Sequence, residues 1–351
     1  MTVIAADRVI DGSGSDGPGW VRVSHGRVVD RGSGALPTAR HRVDAIVPGF
    51  VDVHVHGACG LDFATVGSDP SLAIAWHASR GSTSLVASLA TGTVDDTALR
   101  LAELAPMVRE GLLAGLHLEG PFLSEGRRGA HNPALLRAPS RPEIDRLLEA
   151  GGGTVRMITL APELPGALEV IPALVAAGVR VAIGHTEAST DVVAQAVDRG
   201  ASVVTHLFNG MPPLHHRSPG PVGVALSDGR LSVELIGDGE HLDDRVIDLA
   251  LRECAGRALL VSDAMAAAGL GDGAYTLAGS PVTVRDGLAL TADGAIAGST
   301  SSVSDAVNRL LARGADPALI VELTALAPSR ALGMAVPPLA VGISGGKAAK
   351  L

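Results

Sequence analysis

Hydrophobic and polar positions along the chain follow two regimes. Up to residue 46, short alternating runs such as TVIAADRVI and WVRVSHGRVVD are separated by Gly and Asp clusters, the pattern of half-buried strands joined by polar turns. From Val47 onward, apolar β-branched runs alternate with segments of helical period, as βα units do. The runs AIVPGFVDVHVH, STSLVASL, LLAGLHLE, VRMITLAP, RVAIGHT, ASVVTHLF, LSVELIGD and ALLVSDA read as eight buried strands. Helical stretches rich in Ala, Leu and Arg lie between most of them, among them SLAIAWHASR, DDTALRLAELAPMVRE and DVVAQAVDRG. Eight strands in this alternation predict an α/β protein with a closed (β/α)₈ barrel over residues 47–335; an open doubly wound sheet is the alternative on alternation alone. After the eighth strand come a Gly-rich hairpin-like segment, Ala278 to Ala297, and a last helical region, Asp305 to Leu332.

Composition narrows the class. With 351 residues, 46% hydrophobic and 19% charged, and a mean hydropathy of +0.32, the chain suits a globular enzyme with a large core. No run of about 18 uncharged apolar residues reads as a membrane span. The start MTVIAADRVIDG lacks the basic and apolar regions of a signal peptide, so a cytoplasmic protein is expected. Two cysteines, Cys59 and Cys254, are too few for a disulfide framework. A net charge of −9 without a basic cluster argues against nucleic acid as a partner. Lysine occurs only at Lys347 and Lys350, which argues against Schiff-base, pyridoxal-phosphate and P-loop chemistry, each of which needs a lysine inside the fold.

Candidate chemistry lies at the strand ends. His54 and His56 close the first strand, Glu119 the third, His185 the fifth, His206 the sixth and Asp263 the eighth, while Asp238 and His241 follow the seventh. A (β/α)₈ barrel gathers all C-terminal strand ends at one mouth, where active sites lie. Imidazole and carboxylate together suit a borderline divalent ion such as Zn²⁺ or Fe²⁺. Singly, each signal has a plainer reading. A His-x-His pair puts both rings on one strand face and can be cross-strand decoration. A lone Glu or His at a strand end more often bonds a neighbouring loop, and an Asp there is often a helix N-cap. Six at matching ends are hard to obtain from packing, because buried ionisable groups cost several kcal/mol unless paired or metal-bound. His25, His41 and His77 are expected in turns or on helix surfaces, in solvent. His117 shares a strand face with Glu119, either behind the site or as a satisfied core histidine, and the latter is favoured.

Read in order, PGFVDVHVHG, LHLEGPF, GAHNP, ITLAPE, GHTEAS, THLFNGMPPLHHRSPG, SDAMAAAGL and AGST resemble the N-acetylglucosamine-6-phosphate deacetylase family of the amidohydrolase superfamily, from about Asp44 to Leu332. THLFNGMPPLHHR with HLEGPF before it is what narrows the family. Many superfamily members bridge two metals with a carboxylated lysine on the fourth strand; this chain has none there. The resemblance implies Glu119 as the carboxylate ligand, with His185 and His206 completing that metal's protein ligands. His54 and His56 would support a second ion, so one or two ions per subunit are expected. The reaction implied is hydrolysis of the acetamide of N-acetyl-D-glucosamine 6-phosphate, with Asp263 as the acid–base carboxyl and His131 aiding the metal at the oxyanion.

Family binding positions map onto Ala130, His131, Asn209, Gly210, Asp238, His241, Ile296, Ala297 and Gly298. Arg217, in PLHHR, is the candidate phosphate contact, since guanidinium matches phosphate oxygens in fork geometry. In the family it reaches the neighbouring subunit's site, which implies a homodimer; the plainer reading is a surface loop arginine. Cys59 stands where the family more often has glycine, and Glu240 where it has an apolar residue. The resemblance also implies a small β-sandwich, residues 1–46 plus 336–351. The tail AVPPLAVGISGGKAAKL is expected to leave that domain incomplete, with an exposed edge strand. Competing expectations are the galactosamine epimer of the substrate and another amidohydrolase-superfamily amidase.

Overall fold

Strands buried on both faces need no polar side, and the eight apolar runs form such strands: β1 (Phe50–Val55), β2 (Ser82–Ala90), β3 (Gly115–Glu119), β4 (Val155–Leu160), β5 (Arg180–Ile183), β6 (Ala201–Val204), β7 (Ser232–Ile236) and β8 (Ala258–Val261). The computed structural model describes residues 1–34, 39, 41–277 and 279–351. Ala278, where the Gly-rich hairpin is expected to begin, and positions 35–38 and 40 of the N-terminal segment lie outside the described residues. The strands pair in sequence order and in parallel from β1 to β8. At the mouth the first and last strands meet: Asp263 N–H donates to His54 O (2.9 Å) and His56 N–H to Ala264 O (2.8 Å). Lower down, the buried Asp52 carboxylate accepts from Ser262 Oγ (2.5 Å) and Ser262 N (3.2 Å). These contacts turn an eight-stranded sheet into a barrel.

Helices follow the strands, and their starts are written locally. Thr93 caps Val94–Arg109 by accepting from Asp96 N, Ser189 caps Thr190–Asp198, and Asp243 caps Asp244–Glu253. The last helical region begins at Val303, set by a capping box between Ser302 and Asp305. It then breaks into Pro317–Val321, a wider π turn at Glu322–Leu326, and Ala327–Leu332. No helix among the described residues is long and apolar enough to cross a membrane.

The run AIVPGFVDVHVH divides at Gly49. His41–Pro48 belongs to a separate six-stranded sheet, two residues past the expected boundary, and only Phe50–Val55 enters the barrel. Glycine is required at the junction, because a Cβ there would lie 2.0 Å from Thr83 Oγ1. In that sheet, His41–Pro48 pairs in parallel with Thr2–Ile10 and antiparallel with Leu339–Ser344. The C-terminal residues form a hairpin, Leu339–Ser344 with Lys347–Lys350, whose second strand is one edge of the sheet. The two lysines therefore flank an edge strand, where charge discourages further pairing. After β8 the Gly-rich segment is a three-stranded antiparallel sheet (Gly273–Leu277, Ser280–Arg285, Leu288–Thr291), which begins earlier than the glycines suggest.

One histidine departs from expectation. His77 is fully buried rather than solvated, and its Nε2–H donates to Gly57 O at 3.1 Å. Its helix, Ser71–Ser79, packs that residue inward beneath the segment that follows His56. His25 and His41 are exposed.

Candidate active site

The barrel carries its ionisable groups at one end. His54 lies on β1 and His56 just beyond it, and the two-residue strand period turns both rings to the same side. Glu119 ends β3, whereas His185, His206 and Asp263 each sit two residues past their strands. These six are at most 7% exposed. The chain turns sharply at the last three, with left-handed φ of +47° at His185, +29° at His206 and +48° at Asp263. Such backbone costs of order 1–3 kcal/mol per residue, a strain that concentrates at functional sites.

Glu119 is the hub. Its Oε1 lies 3.1 Å from His185 Nε2, 3.2 Å from His206 Nε2 and 3.4 Å from His54 Nε2. Its Oε2 lies 3.1 Å from His56 Nε2 and 3.3 Å from His131 Nε2. Asp263 Oδ1 is 3.2 Å from His56 Nε2 and 3.5 Å from His54 Nε2. Among the described residues, two groups have ligand atoms within 4.8 Å of one another and can hold a metal ion: His54, His56 and Asp263; and Glu119, His131 and His185.

The donor chemistry fits a cation. His185 Nδ1–H donates to Arg127 O (2.7 Å) and His206 Nδ1–H to Asn209 O (3.2 Å), so both Nε2 atoms face inward. Those two Nε2 atoms are 3.0 Å apart, and those of His54 and His56 are 3.1 Å apart. Ring nitrogens this close need a proton or a cation between them. Burial pushes the Glu119 carboxyl up, but positive charge on His54 and hydrogen bonds from His131, His185 and His206 hold it well below the usual range. Burial likewise opposes ionisation of Asp263, while the charge on His54 and the hydrogen bond from His56 keep it ionised. Burial works down on His56, yet the same carboxylates bring it up to about 9. A field that draws protons onto imidazoles also draws a divalent ion. His131, pushed by burial down to about 4, is neutral and accepts from Thr91 N at 3.3 Å.

Above this floor opens a cavity of about 380 Å³, within the range of small-molecule sites. Ala130, His131, Asn209, Gly210, His241, Ile296, Ala297 and Gly298 line it with His56, Glu119, His185, His206 and Asp263. At Gly210 φ is +62° and a Cβ would stand 3.1 Å from His185 Nδ1, so a side chain would press on that ring. Asp238 is behind the wall: its carboxylate accepts from His241 Nδ1–H (2.7 Å) and N–H (3.0 Å) and so aims that imidazole. Arg217 does not join the group. It is exposed and bonds His216 Nε2 at 2.7 Å. Sequence reasoning missed Arg127 and Leu277, which also line the cavity, and Glu234, buried behind His54. Arg127 lies within GRRGAHNP, beside Ala130 and His131, and that position was its only signal. His117 is a satisfied core histidine, bonded to Ser88 Oγ and Thr159 Oγ1 at 2.8 Å each. Cys59 is half-buried with its thiol pushed up by burial, and belongs to neither metal-capable group. Glu240 is exposed.

The pattern of the amidohydrolase family matches residues 45–343. An Escherichia coli O157:H7 protein named N-acetylgalactosamine-6-phosphate deacetylase is 36% identical over 327 residues, covering 90% of this chain and 87% of its own. A human N-acetylglucosamine-6-phosphate deacetylase is 38% identical over 307 residues, covering 82% and 75%. The crystal structure of N-acetyl-D-glucosamine-6-phosphate deacetylase from Mycobacterium smegmatis, 41% identical, superimposes with a TM-score of 0.90 over 99% of this chain and 97% of that one. A mutant of the same enzyme in complex with N-acetyl-D-glucosamine-6-phosphate gives 0.89 at 39% identity, over 99% and 98%. With the barrel, its strand-end imidazoles and carboxylates, and a matching pattern over most of its length, the chain belongs to the amidohydrolase family.

Proposed function

We propose that the protein hydrolyses the acetamide of N-acetyl-D-glucosamine 6-phosphate to D-glucosamine 6-phosphate and acetate. The observation that carries this reading is Glu119 ringed by imidazoles beside the ionised Asp263, at the floor of a cavity of sugar-phosphate size. The names of the relatives supply the substrate class. The E. coli relative favours a second reading, the C4 epimer N-acetyl-D-galactosamine 6-phosphate.

Glu119, His185 and His206 would hold one divalent ion, Zn²⁺ or Fe²⁺, and His54 with His56 a second. When bound, the ion lowers the pKa of water from about 15.7 to near 7 and polarises the carbonyl. Asp263, held ionised, accepts the proton of the water that attacks the acetyl carbon. As the C–N bond breaks, the same carboxyl returns that proton to the departing C2 nitrogen, so one water is consumed and acetate and the amine leave. His131, with Nε2 at the edge of the cluster, helps stabilise the oxyanion. Ala130, Asn209, Gly210, His241, Ile296, Ala297 and Gly298 orient the sugar, with Asp238 fixing His241.

Arg217 binds the phosphate of the neighbouring subunit's substrate in a homodimer; its exposure, away from its own cavity, supports that reading. Mixing Arg217→Ala with Asp263→Asn is then expected to restore activity, because a hybrid dimer carries one complete site. A mixture no more active than its parts, in verified hybrids, rules the shared site out.

The test of the function is acetate release from the two N-acetylhexosamine 6-phosphates and their unphosphorylated forms, with and without chelator. Turnover of the glucosamine epimer that needs both phosphate and metal is expected. Preference for the unphosphorylated sugars, or full turnover by metal-free protein, overturns the reading.

A further inference from the structure

Glu234 is a carboxylate buried in the barrel that no catalytic role uses and, unlike Asp52, which bonds Ser262, it reaches an imidazole of the site. It lies on β7 between Val233 and Leu235 and is fully buried. A carboxylate is costly there unless its charge serves a partner. One oxygen, Oε2, receives both the His54 Nδ1–H (2.9 Å) and the main-chain N–H of His206 (3.1 Å). The other, Oε1, has no hydrogen-bond partner. The same His54 ring stacks on that of His206, with centroids 5.5 Å apart and planes at 27°.

From this geometry we infer that Glu234 is a positioning residue that builds the His54 half of the metal centre and sets its spacing from the His206 half. Because a carboxylate can only accept, the proton of His54 is fixed on Nδ1 and Nε2 is turned toward His56, Glu119 and Asp263. The bond to His206 N–H ties the second cluster to the same oxygen, at a residue whose left-handed backbone would otherwise relax. His185 and His206 rest their own Nδ1–H groups on neutral main-chain carbonyls, so Glu234 gives full negative charge to one imidazole only. That contact makes the ion beside His54 the one that depends on β7.

The inference rests on the metal reading of the site but not on the substrate, so its test measures metal. Apo full-length protein is titrated with Zn²⁺ against a competing chelator, and with Co²⁺ by visible absorption, as wild type, Glu234→Gln and Glu234→Ala. Loss of an outer-shell partner typically weakens metal affinity by ~10–100-fold, and that loss is expected for one ion in Glu234→Ala, together with altered Co²⁺ bands. Glu234→Gln keeps an oxygen able to accept both hydrogen bonds, so it should fall between the two and should fold if the alanine variant does not. In a His54→Ala background, Glu234→Gln should add no further loss. Wild-type affinities and an unchanged Co²⁺ spectrum in Glu234→Gln overturn the assignment. A wild type that binds no ion overturns the metal reading beneath it.

Discussion

Two groups of imidazole and carboxylate share one mouth, and they are held in place differently. His185 and His206 lean on the carbonyls of Arg127 and Asn209. His54 leans on a side-chain carboxylate, and the main chain just after His56 is held by the buried imidazole of His77. A main-chain carbonyl cannot be deleted by substitution and carries no full charge, whereas a side chain can be deleted, and an imidazole titrates. Apart from the Glu234 bond to His206 N–H, the Glu119 group is thus a property of loop conformation, and the His54 group a property of other buried side chains, open to tuning from positions that need not touch ion or substrate.

The severest challenge to this contrast comes at Asp263, which touches both rings of the side-chain-held group. Asp263→Asn is expected to lower kcat by ~10²–10⁴ while the protein retains its metal, as loss of an acid–base group does. Steady-state turnover with metal analysis checks it; retention of more than about a hundredth of the activity with metal bound removes the proposed role.

Acid provides the next test. Burial pushes His77 from 6.5 down to about 4. Between those values the unfolded chain takes up a proton that the folded chain resists, so stability falls as pH drops from 6.5 to 4 and loses nothing more from this group below that. The shift corresponds to about 3 kcal/mol. Denaturant unfolding at pH 7 and pH 5 should show part of this loss, and His77→Gln, which can still donate to Gly57 O, should flatten it. Equal pH slopes for the two proteins would remove His77 as the cause.

The smallest effect is a null. Arg127→Ala and Asn209→Ala keep the carbonyls that hold His185 and His206, so ion affinity should be unchanged in a chelator competition, although substrate KM rises. A loss of about tenfold in affinity, the low end for an outer-shell partner, would erase the distinction between the two groups.

Most of the barrel is legible in the sequence because strands buried on both faces read as continuous apolar runs, and each of the eight runs contains one. Closure of the barrel is what makes the distance in sequence from His54 to Asp263 immaterial. Periodicity fails where a residue's environment comes from elsewhere in the fold. Glu234 in LSVELIGD reads like any polar residue of a strand, since nothing nearby shows that His54 and His206 arrive on the same oxygen. His77 lies in SLAIAWHAS, a helix with little contrast between its faces, so its spacing cannot assign it a side. The division of AIVPGFVDVHVH at Gly49 depends on Thr83, a neighbour on β2.

The confinement of lysine to the Lys347–Lys350 edge strand has a practical side. Both ε-amines are exposed, on a sheet joined covalently to the barrel through Gly49, at the start of β1 rather than at its ligand-bearing end. Dyes, biotin or a solid support attached by amine coupling will therefore load onto that strand and the Met1 amine, which leads into the same sheet, and the molecule can be tethered with its catalytic mouth chemically untouched.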